Sequence, residues 1–568
     1  MALVVGTGGV ASAWVLLQLI ALCTNLAYFH EFSFVPRSLS GLHLGPGSVL
    51  IPTAGALVIG LMARYGSEKI RGHGIPEALE AILIGRSRIQ PKVAVLKPLS
   101  SAISIGTGGP FGAEGPIIMT GGALGSLFAQ LFHMTAAERK VLLVAGAAAG
   151  MTGVFGTPIA AVLLAVELLL FEWKPRSFIP VVVACAVAAL ERGYVLPAAP
   201  LFAHAGTSPD TPACILGWVA TGLLSGLGSG MLTAMVYGSE DAFGHLKLHW
   251  MWWPVLGGLV VGLGGLVEPA ALGVGYDTIA DLLSGHLALG AVALLLVVKA
   301  VIWAVALGSG TSGGVLAPLL IMGGALGALA GHLLPDAGPG FWAMLGMAAM
   351  MGGTMRAPLT AALFAVELTG DFAAVLPLFV ACAAAYAVTV LLLKRSILTE
   401  KVARRGHHII REYHADPFAL TAVRDVMVRR VDTLPAAMPV AEAARFFTAP
   451  EPRHKAYPVV DAEDRVLGMV SRADALAWLR DPPAGTLGAV TAGTDLVVAH
   501  PDEPAGAVAD RMVRHETGRL PVISRDDDRL VGLVARKDLL QVRQRLAAEE
   551  RERDRSWGRQ PAAIRTPA

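Results

Sequence analysis

The residue with the most chemistry to explain is Glu114, an acid set in Gly112-Ala-Glu-Gly-Pro116 within a long apolar region. Two other Gly-rich turns lead into proline in the same way, Gly72-His-Gly-Ile-Pro76 and Gly313-Gly-Val-Leu-Ala-Pro318. Proline fits the first turn of a helix and glycine lets backbone N–H groups approach a ligand closely, so each turn reads as a helix start. A helix N-terminus presents unpaired N–H donors and roughly half a positive charge. Three of them converging would hold an anion without a buried lysine or arginine. One such motif alone is ordinarily a packing glycine and a kink, but three in one duplicated body describe a site. An acidic side chain there repels the anion unless it moves or takes up a proton, and carboxylates at membrane depth are costly. The plain alternative is a carboxylate that caps its own helix. The place of Glu114 between glycine and Gly-Pro favours a mobile gate.

Composition sets the elements that carry these turns. The chain has 568 residues, 54% apolar and 15% charged, whereas a soluble globular protein carries about 25% charge. Of its Asp, Glu, Lys and Arg, 37 fall in the first 400 residues and 51 in the last 168, so a membrane body precedes a soluble tail. A net charge of +2 gives no footing for nucleic acid. Cys23, Cys185, Cys214 and Cys382 stand singly in apolar runs and read as small buried hydrophobes. Residues 11–29 read as a retained membrane helix, because no basic region or cleavage site precedes them; the abrupt start points to a preceding segment outside this sequence. Further apolar stretches cover 48–63, 178–189, 215–236, 287–307 and 375–393. Several fall short of the roughly 20 helical residues that cross a bilayer. Many are broken by Gly and Pro, which membranes tolerate only where protein buries the backbone or a polar cavity borders it. Interrupted helices of this kind belong to a transporter or pore.

The body is duplicated. Gly115-Pro-Ile-Ile-Met-Thr-Gly-Gly-Ala-Leu-Gly125 matches Ala317-Pro-Leu-Leu-Ile-Met-Gly-Gly-Ala-Leu-Gly327 at an offset of 202. Pro158-Ile-Ala-Ala-Val-Leu-Leu-Ala-Val-Glu-Leu168 matches Pro358-Leu-Thr-Ala-Ala-Leu-Phe-Ala-Val-Glu-Leu368 at 200. Halves with breaks at matching positions point to a midplane site between them, and inversion is the commoner arrangement. The expected fold is a polytopic α-helical membrane protein, with inverted-repeat halves over about 1–195 and 210–398, followed by a cytoplasmic α/β domain.

In order and spacing these motifs resemble the CLC family of chloride channels and chloride/proton antiporters, whose anion-path signatures are GSGIP, GREGP and GxFxP. Here they read GHGIP at 72–76, GAEGP at 112–116 and GVLAP at 314–318. The resemblance covers nearly the whole membrane body, including Lys97 and the FGTPIAAVLLAVE stretch from Phe155. It implies a homodimer in the lipid bilayer of the plasma membrane, with a separate chloride path in each subunit. It implies that Glu114 is the gate, flanked by Gly112, Ala113, Gly115 and Pro116. The N–H groups of Val315 and Leu316, after Gly314, would face the anion, and Gly72, His73, Gly74, Ile75 and Pro76 would contribute from below. Four positions depart from the family pattern. Ala113 replaces the arginine of GREGP, His73 replaces the serine of GSGIP, and Leu398 replaces a tyrosine after the last membrane helix. Leu168 stands where antiporters carry the glutamate that takes protons from the inside. The adjacent Glu167 and its repeat partner Glu367 read as structural acids.

The basic run 394–406 favours a cytoplasmic C-terminus. A linker at 399–420 then leads into a second repeat, units 421–482 and 483–547, before a charged, Pro/Ala-rich tail at 548–568 that reads as disordered. Tyr457-Pro-Val-Val-Asp and Leu467-Gly-Met-Val-Ser-Arg-Ala-Asp474 recur as Leu520-Pro-Val-Ile-Ser and Val531-Gly-Leu-Val-Ala-Arg-Lys-Asp538, with one residue inserted between the blocks. This looks like a tandem pair of CBS domains. The likeness implies that Ser471, Asp474 and Asp538 hold the ribose and phosphate of ATP, ADP or AMP. Simple helix caps are the alternative role for the two aspartates.

Two other functions fit the residues less well. Gly310-Thr-Ser-Gly313 matches the GxSG of intramembrane serine proteases, but such chemistry needs a histidine near Ser312, and His332 is a poor candidate. A CBS-linked divalent-cation channel should cluster membrane carboxylates, whereas Glu114 stands alone. Within anion transport, Leu168 holds no proton and Glu167 should face about 100° away on a helix, so a passive chloride channel is expected, with chloride/proton antiport as the alternative. The smaller Leu398 is expected to widen the inner entrance. No metal, catalytic residue or obligatory cofactor is expected.

Overall fold

The computed structural model describes residues 1–132, 134–196, 200–204, 211–393, 395–404, 418, 421–448, 454–481, 483–492, 496–542 and 544. The expected tail at 548–568 and most of the 399–420 linker lie outside the described residues. The chain folds as two compact units, 1–413 and 414–568.

The first unit is helical throughout. Its first half runs α1 (Ala2–Thr24), α2 (Leu50–Tyr65), α3 (Ile75–Leu83), α4 (Pro91–Gly106), α5 (Glu114–Leu131), α6 (Ala136–Phe155), α7 (Pro158–Leu164) and α8 (Pro175–Val195). The second runs α9 (Pro212–Gly244), α10 (Trp253–Val267), α11 (Tyr276–Ser284), α12 (Leu289–Gly308), α13 (Leu316–Gly331), α14 (Phe341–Met355), α15 (Pro358–Thr369) and α16 (Val375–Leu392), followed by α17 (Ile397–Arg404). The halves correspond helix for helix. α3 and α11 start 201 residues apart, α5 and α13 start 202 apart, and α7 and α15 start 200 apart. Proline opens α3, α4, α7, α8, α9, α10 and α15, where its missing N–H falls on a donor that is unpaired anyway.

Seven helical stretches among the described residues are long and apolar enough to cross a membrane: Ala2–Phe29, Pro46–Tyr65, Pro175–Val195, Pro212–Gly244, Trp250–Val267, Leu289–Gly308 and Phe372–Arg404. Between them lie shorter apolar helices, which begin or end at the breaks. Lipid supplies no hydrophobic drive between helices, so close packing relies on small residues. A Cβ added at Gly121 of α5 would stand 3.0 Å from the carbonyl carbon of Gly146 in α6. Its counterpart at Gly323 of α13 would stand 3.0 Å from the carbonyl carbon of Gly346 in α14. The same crossing is built twice.

The N-terminal helix corrects one expectation. It begins at Ala2 rather than near residue 11, and a single π turn, Asn25–Phe29, extends it. Local propensity disfavours helix through Gly6, Gly8 and Gly9, but these glycines let α1 lie against its neighbours. A Cβ at Gly9 would meet Ala149 of α6 at 2.7 Å, and one at Gly6 would meet Val187 of α8 at 3.0 Å.

The second unit holds two similar α/β modules. In the first, β1 (Leu434–Pro435) pairs in parallel with β2 (Ala456–Val460), which pairs antiparallel with β3 (Val466–Ser471). Helices α18 (Val440–Thr448), α19 (Arg472–Trp478) and α20 (Leu487–Thr491) belong to it. The second module has α21 (Ala505–Arg514) and the antiparallel pair β4 (Arg519–Ile523) and β5 (Leu530–Ala535). Tyr457 opposes Val470 as Leu520 opposes Val534, and the register shifts at Val459/Val460 as it does at Val522/Ile523. The one-residue insertion therefore sits in the turn, between Ile523 and Leu530.

Candidate functional site

The three Gly-rich breaks meet. Gly112 and Gly314 form an antiparallel bridge, with the Gly314 N–H donating to the Gly112 carbonyl at 2.9 Å and the Gly112 N–H to Gly314 at 3.3 Å. Gly72 pairs with the Ser312 strand, its N–H donating to the Thr311 carbonyl at 3.2 Å. A Cβ at Gly115 would lie 3.0 Å from both the Gly314 Cα and the His73 carbonyl carbon. These glycines are required because three backbones approach where no side chain fits. Several of their amides therefore serve the protein and not an anion: those of Gly72, Gly112 and Gly314 bind carbonyls across the junction. The Gly74 N–H donates to Oε2 of Glu77 at 2.8 Å. This corrects the expectation that the glycine N–H groups stand open to the ion.

Glu114 opens α5 and is fully buried. Its Oε1 accepts from the Leu316 N–H, the first residue of α13. The carboxylate of one repeat thus sits on the helix N-terminus of the other, in the place an anion would take. Its Oε2 is buried without a hydrogen-bond partner among the described residues. A Cβ at Gly112 or Gly314 would lie 2.5 Å from the carboxyl carbon, so both glycines make room for this side chain. Ala113 and Val315 are fully buried beside it.

On the inner motif, Lys97 of α4 is fully buried and its Nζ donates to the carbonyls of Ile70 at 2.8 Å and Gly72 at 2.7 Å. Glu77, whose Oε2 caps α3, receives the Lys401 Nζ from α17 on Oε1 at 2.7 Å. His73 is 3% exposed and its Nδ1 has no partner. Lys97 has a twin that sequence reasoning missed. Lys299 of α12 is equally buried and donates to the carbonyls of Ala271 at 2.8 Å and Gly273 at 3.2 Å. Gly273-Val-Gly275-Tyr276 thus repeats the Gly72-His-Gly74-Ile75 turn 201 residues on, and that offset was the available signal.

Leu168 lies fully buried in a π segment, Ala165–Leu170, that continues α7. Its neighbour Glu167 accepts from the amides of Leu359 at 3.3 Å and Thr360 at 2.8 Å, at the start of α15. Glu367 of α15 accepts in turn from Ile159 at 3.0 Å and Ala160 at 2.8 Å, at the start of α7. Each repeat's glutamate caps the other repeat's helix. Leu398 is fully buried on α17, so it fills space where a tyrosine would have offered a hydroxyl. Ser312 bonds to Ser101 at 2.9 Å and Ser100 at 3.2 Å, while His332 bonds its own helix at Ala328. Among the described residues, the side-chain partners of Ser312 are serines and not a base.

In the soluble unit, Ser471 and Asp474 form a capping box on α19: the Ser471 N–H and hydroxyl donate to Asp474 Oδ2 at 2.8 and 2.6 Å. Asp538 accepts from the Ala535 N–H at 2.9 Å and is only 6% exposed, whereas Asp474 is exposed. The closed position of Asp538 counts against the ribose contact expected of it. Arg511 ties this module together, donating to both oxygens of Glu503 at 2.8 and 3.1 Å.

Duplicated helical halves whose broken helices meet on a buried carboxylate define an ion-transporting membrane protein. The Voltage gated chloride channel family model matches residues 54–390, and the CBS domain model matches 423–481 and 488–545. The chain belongs to the voltage gated chloride channel, or CLC, family, and carries a CBS pair behind the membrane body. It is 30% identical over 348 residues to a putative chloride channel protein, ClcB-like, of Ralstonia nicotianae, a match covering 60% of this chain and 81% of that one. It is 29% identical over 365 residues to the H(+)/Cl(−) exchange transporter ClcA of Salmonella paratyphi A, covering 60% of this chain and 74% of that one. A slow cyanobacterial Cl−/H+ antiporter shares the fold at a TM-score of 0.61 and 24% identity, over 71% of this chain and 96% of its own. A eukaryotic CLC transporter follows at 0.58 and 21%, over 94% and 98%. The exchange transporters among these relatives overturn the passive-channel expectation. That expectation rested on the leucines at positions 168 and 398, and a proton needs only some chain of polar groups or water to bypass them.

Proposed function

We propose that the protein is a chloride/proton antiporter that works as a homodimer, with one anion path in each subunit and Glu114 as the group shared by both ions. The observation that carries this is the buried Glu114 carboxylate on the Leu316 amide, bridging α5 of one repeat and α13 of the other. As an anion it competes with chloride for the N-terminus of α13. As a neutral acid it gives up that place, so uptake of a proton clears the position for chloride and the movements of the two ions are linked there. The exchange names of relatives such as the Salmonella transporter support this assignment. The inner proton route then bypasses Leu168. The work done is translocation and not covalent catalysis, and no cofactor is needed for it. The CBS pair regulates transport by binding an adenine nucleotide through the exposed Asp474.

The test uses the purified full chain in liposomes under an imposed chloride gradient. Wild type should drive protons uphill, and Glu114→Ala should abolish proton movement while chloride still flows. Chloride flow without proton movement in wild type would sink the proposal.

A further inference from the structure

The outer counterpart of the inner motif brings a second orphaned polar atom toward the gate. Tyr276 is the first residue of α11 and follows Gly275, which takes a left-handed conformation at φ 77°. By the repeat offset of 201 it stands where Ile75 stands in the inner turn, so an apolar residue on one side of the junction is matched by a hydroxyl on the other. Its ring is fixed on two sides. Phe155, at the end of α6, meets it edge to face with centroids 6.3 Å apart, and Phe202 does the same at 6.0 Å. Phe202 is itself held by its N–H, which donates to the Leu368 carbonyl at 2.9 Å. The Tyr276 hydroxyl is buried and has no hydrogen-bond partner among the described residues. Among the described charged groups, Glu114 and Arg192 lie near enough to act on it, and Arg192 is a buried residue of α8 whose Nε donates to the Gly153 carbonyl.

A buried hydroxyl without a partner is unfavourable, and such an atom calls for an acceptor that reaches it in another state. Glu114 presents the matching defect, a buried Oε2 with no donor. We propose that the Tyr276 hydroxyl donates to the Glu114 carboxylate once that side chain leaves the Leu316 amide, which makes Tyr276 the outer positioning residue of the gate. The inference rests on the gating role proposed above for Glu114. The displaced carboxylate exchanges one donor for another and is not left bare in a low-dielectric interior, where an unpaired charge is costly. The nearby Arg192 lowers the cost of the negative charge in that position. Tyr276 also supplies, on the outer side, a hydroxyl that Leu398 no longer offers on the inner side.

The experiment measures chloride turnover and proton flux of the full chain in proteoliposomes for wild type, Tyr276→Phe, Glu114→Ala and the double variant. Removing a hydrogen bond to a charged group lowers the population of the displaced state by about tenfold, so Tyr276→Phe should turn over chloride severalfold to tenfold more slowly. In the Glu114→Ala background the same change should have no effect, because the carboxylate it serves is gone. Turnover of Tyr276→Phe equal to wild type overturns the inference. So does an equal slowing in both backgrounds, which is the mark of a structural ring. Absence of proton movement in wild type strikes the exchange proposal instead, and is read from a separate trace.

Discussion

The seat of Glu114 on α13 sets how strongly the gate competes with chloride, and the competition can be graded by substitution. A hydrogen bond from a backbone N–H to a carboxylate contributes about 2 kcal/mol, so the α13 N-terminus is free of the side chain in about one molecule in thirty. Apparent chloride affinity is reduced by the same factor, since chloride binds only the fraction that is open. In Glu114→Gln the side chain keeps its shape and a neutral acceptor worth about 1 kcal/mol, which leaves the helix start open in about one molecule in six. In Glu114→Ala nothing competes. The expected order of chloride affinity is Ala, then Gln, then wild type, with gains of about thirtyfold and about fivefold over wild type. Calorimetric titration of chloride into purified protein reads these ratios directly, and chloride efflux from liposomes should keep the same order. An alanine variant that binds chloride no better than wild type, or a glutamine variant that outdoes alanine, would refute the competition.

Three further outcomes follow from the geometry. Lys97→Met and Lys299→Met each strip two buried carbonyls of their donor, so both should lower stability by about 2–4 kcal/mol, read as melting in detergent; a marked inequality between them denies their equivalence. Glu167→Ala and Glu367→Ala each uncap a helix of the opposite repeat and should cost about 1–2 kcal/mol apiece, and unchanged melting in either would remove the reciprocal capping. In the CBS pair, ATP or AMP should raise the melting temperature of the full chain. Asp474→Asn should weaken that effect about tenfold while Asp538→Asn leaves it unchanged, because only Asp474 is exposed. A reversal of the two aspartates would move the contact to Asp538, and no nucleotide shift at all would leave both residues as helix caps.

What the residues determined by themselves was the plan: a duplicated body of broken apolar helices, an acid at one break, and a repeated α/β tail. Those signals are local or periodic. Gly and Pro set where helices start, apolar runs set what lies in lipid, and an offset near 200 shows the duplication without any knowledge of contacts. The start of α1 was misjudged because its glycines are poor helix formers alone and good packers against α6 and α8. The tertiary structure decided everything that depends on partners about 200 residues away. Glu114 finds its donor at Leu316, Glu167 at Thr360, and Glu367 at Ala160, and no spacing within one segment announces such pairs. The same holds for the glycine amides, which sequence made into open anion donors and the fold spent on bridging the repeats. Tyr276 was legible only as a member of a repeated turn and Lys299 only as the repeat partner of Lys97, and their burial was not legible at all. Burial is the physical reason throughout: a hydrogen-bonding group gains a definite role when water is excluded, and only the assembled repeats determine from which atoms water is excluded.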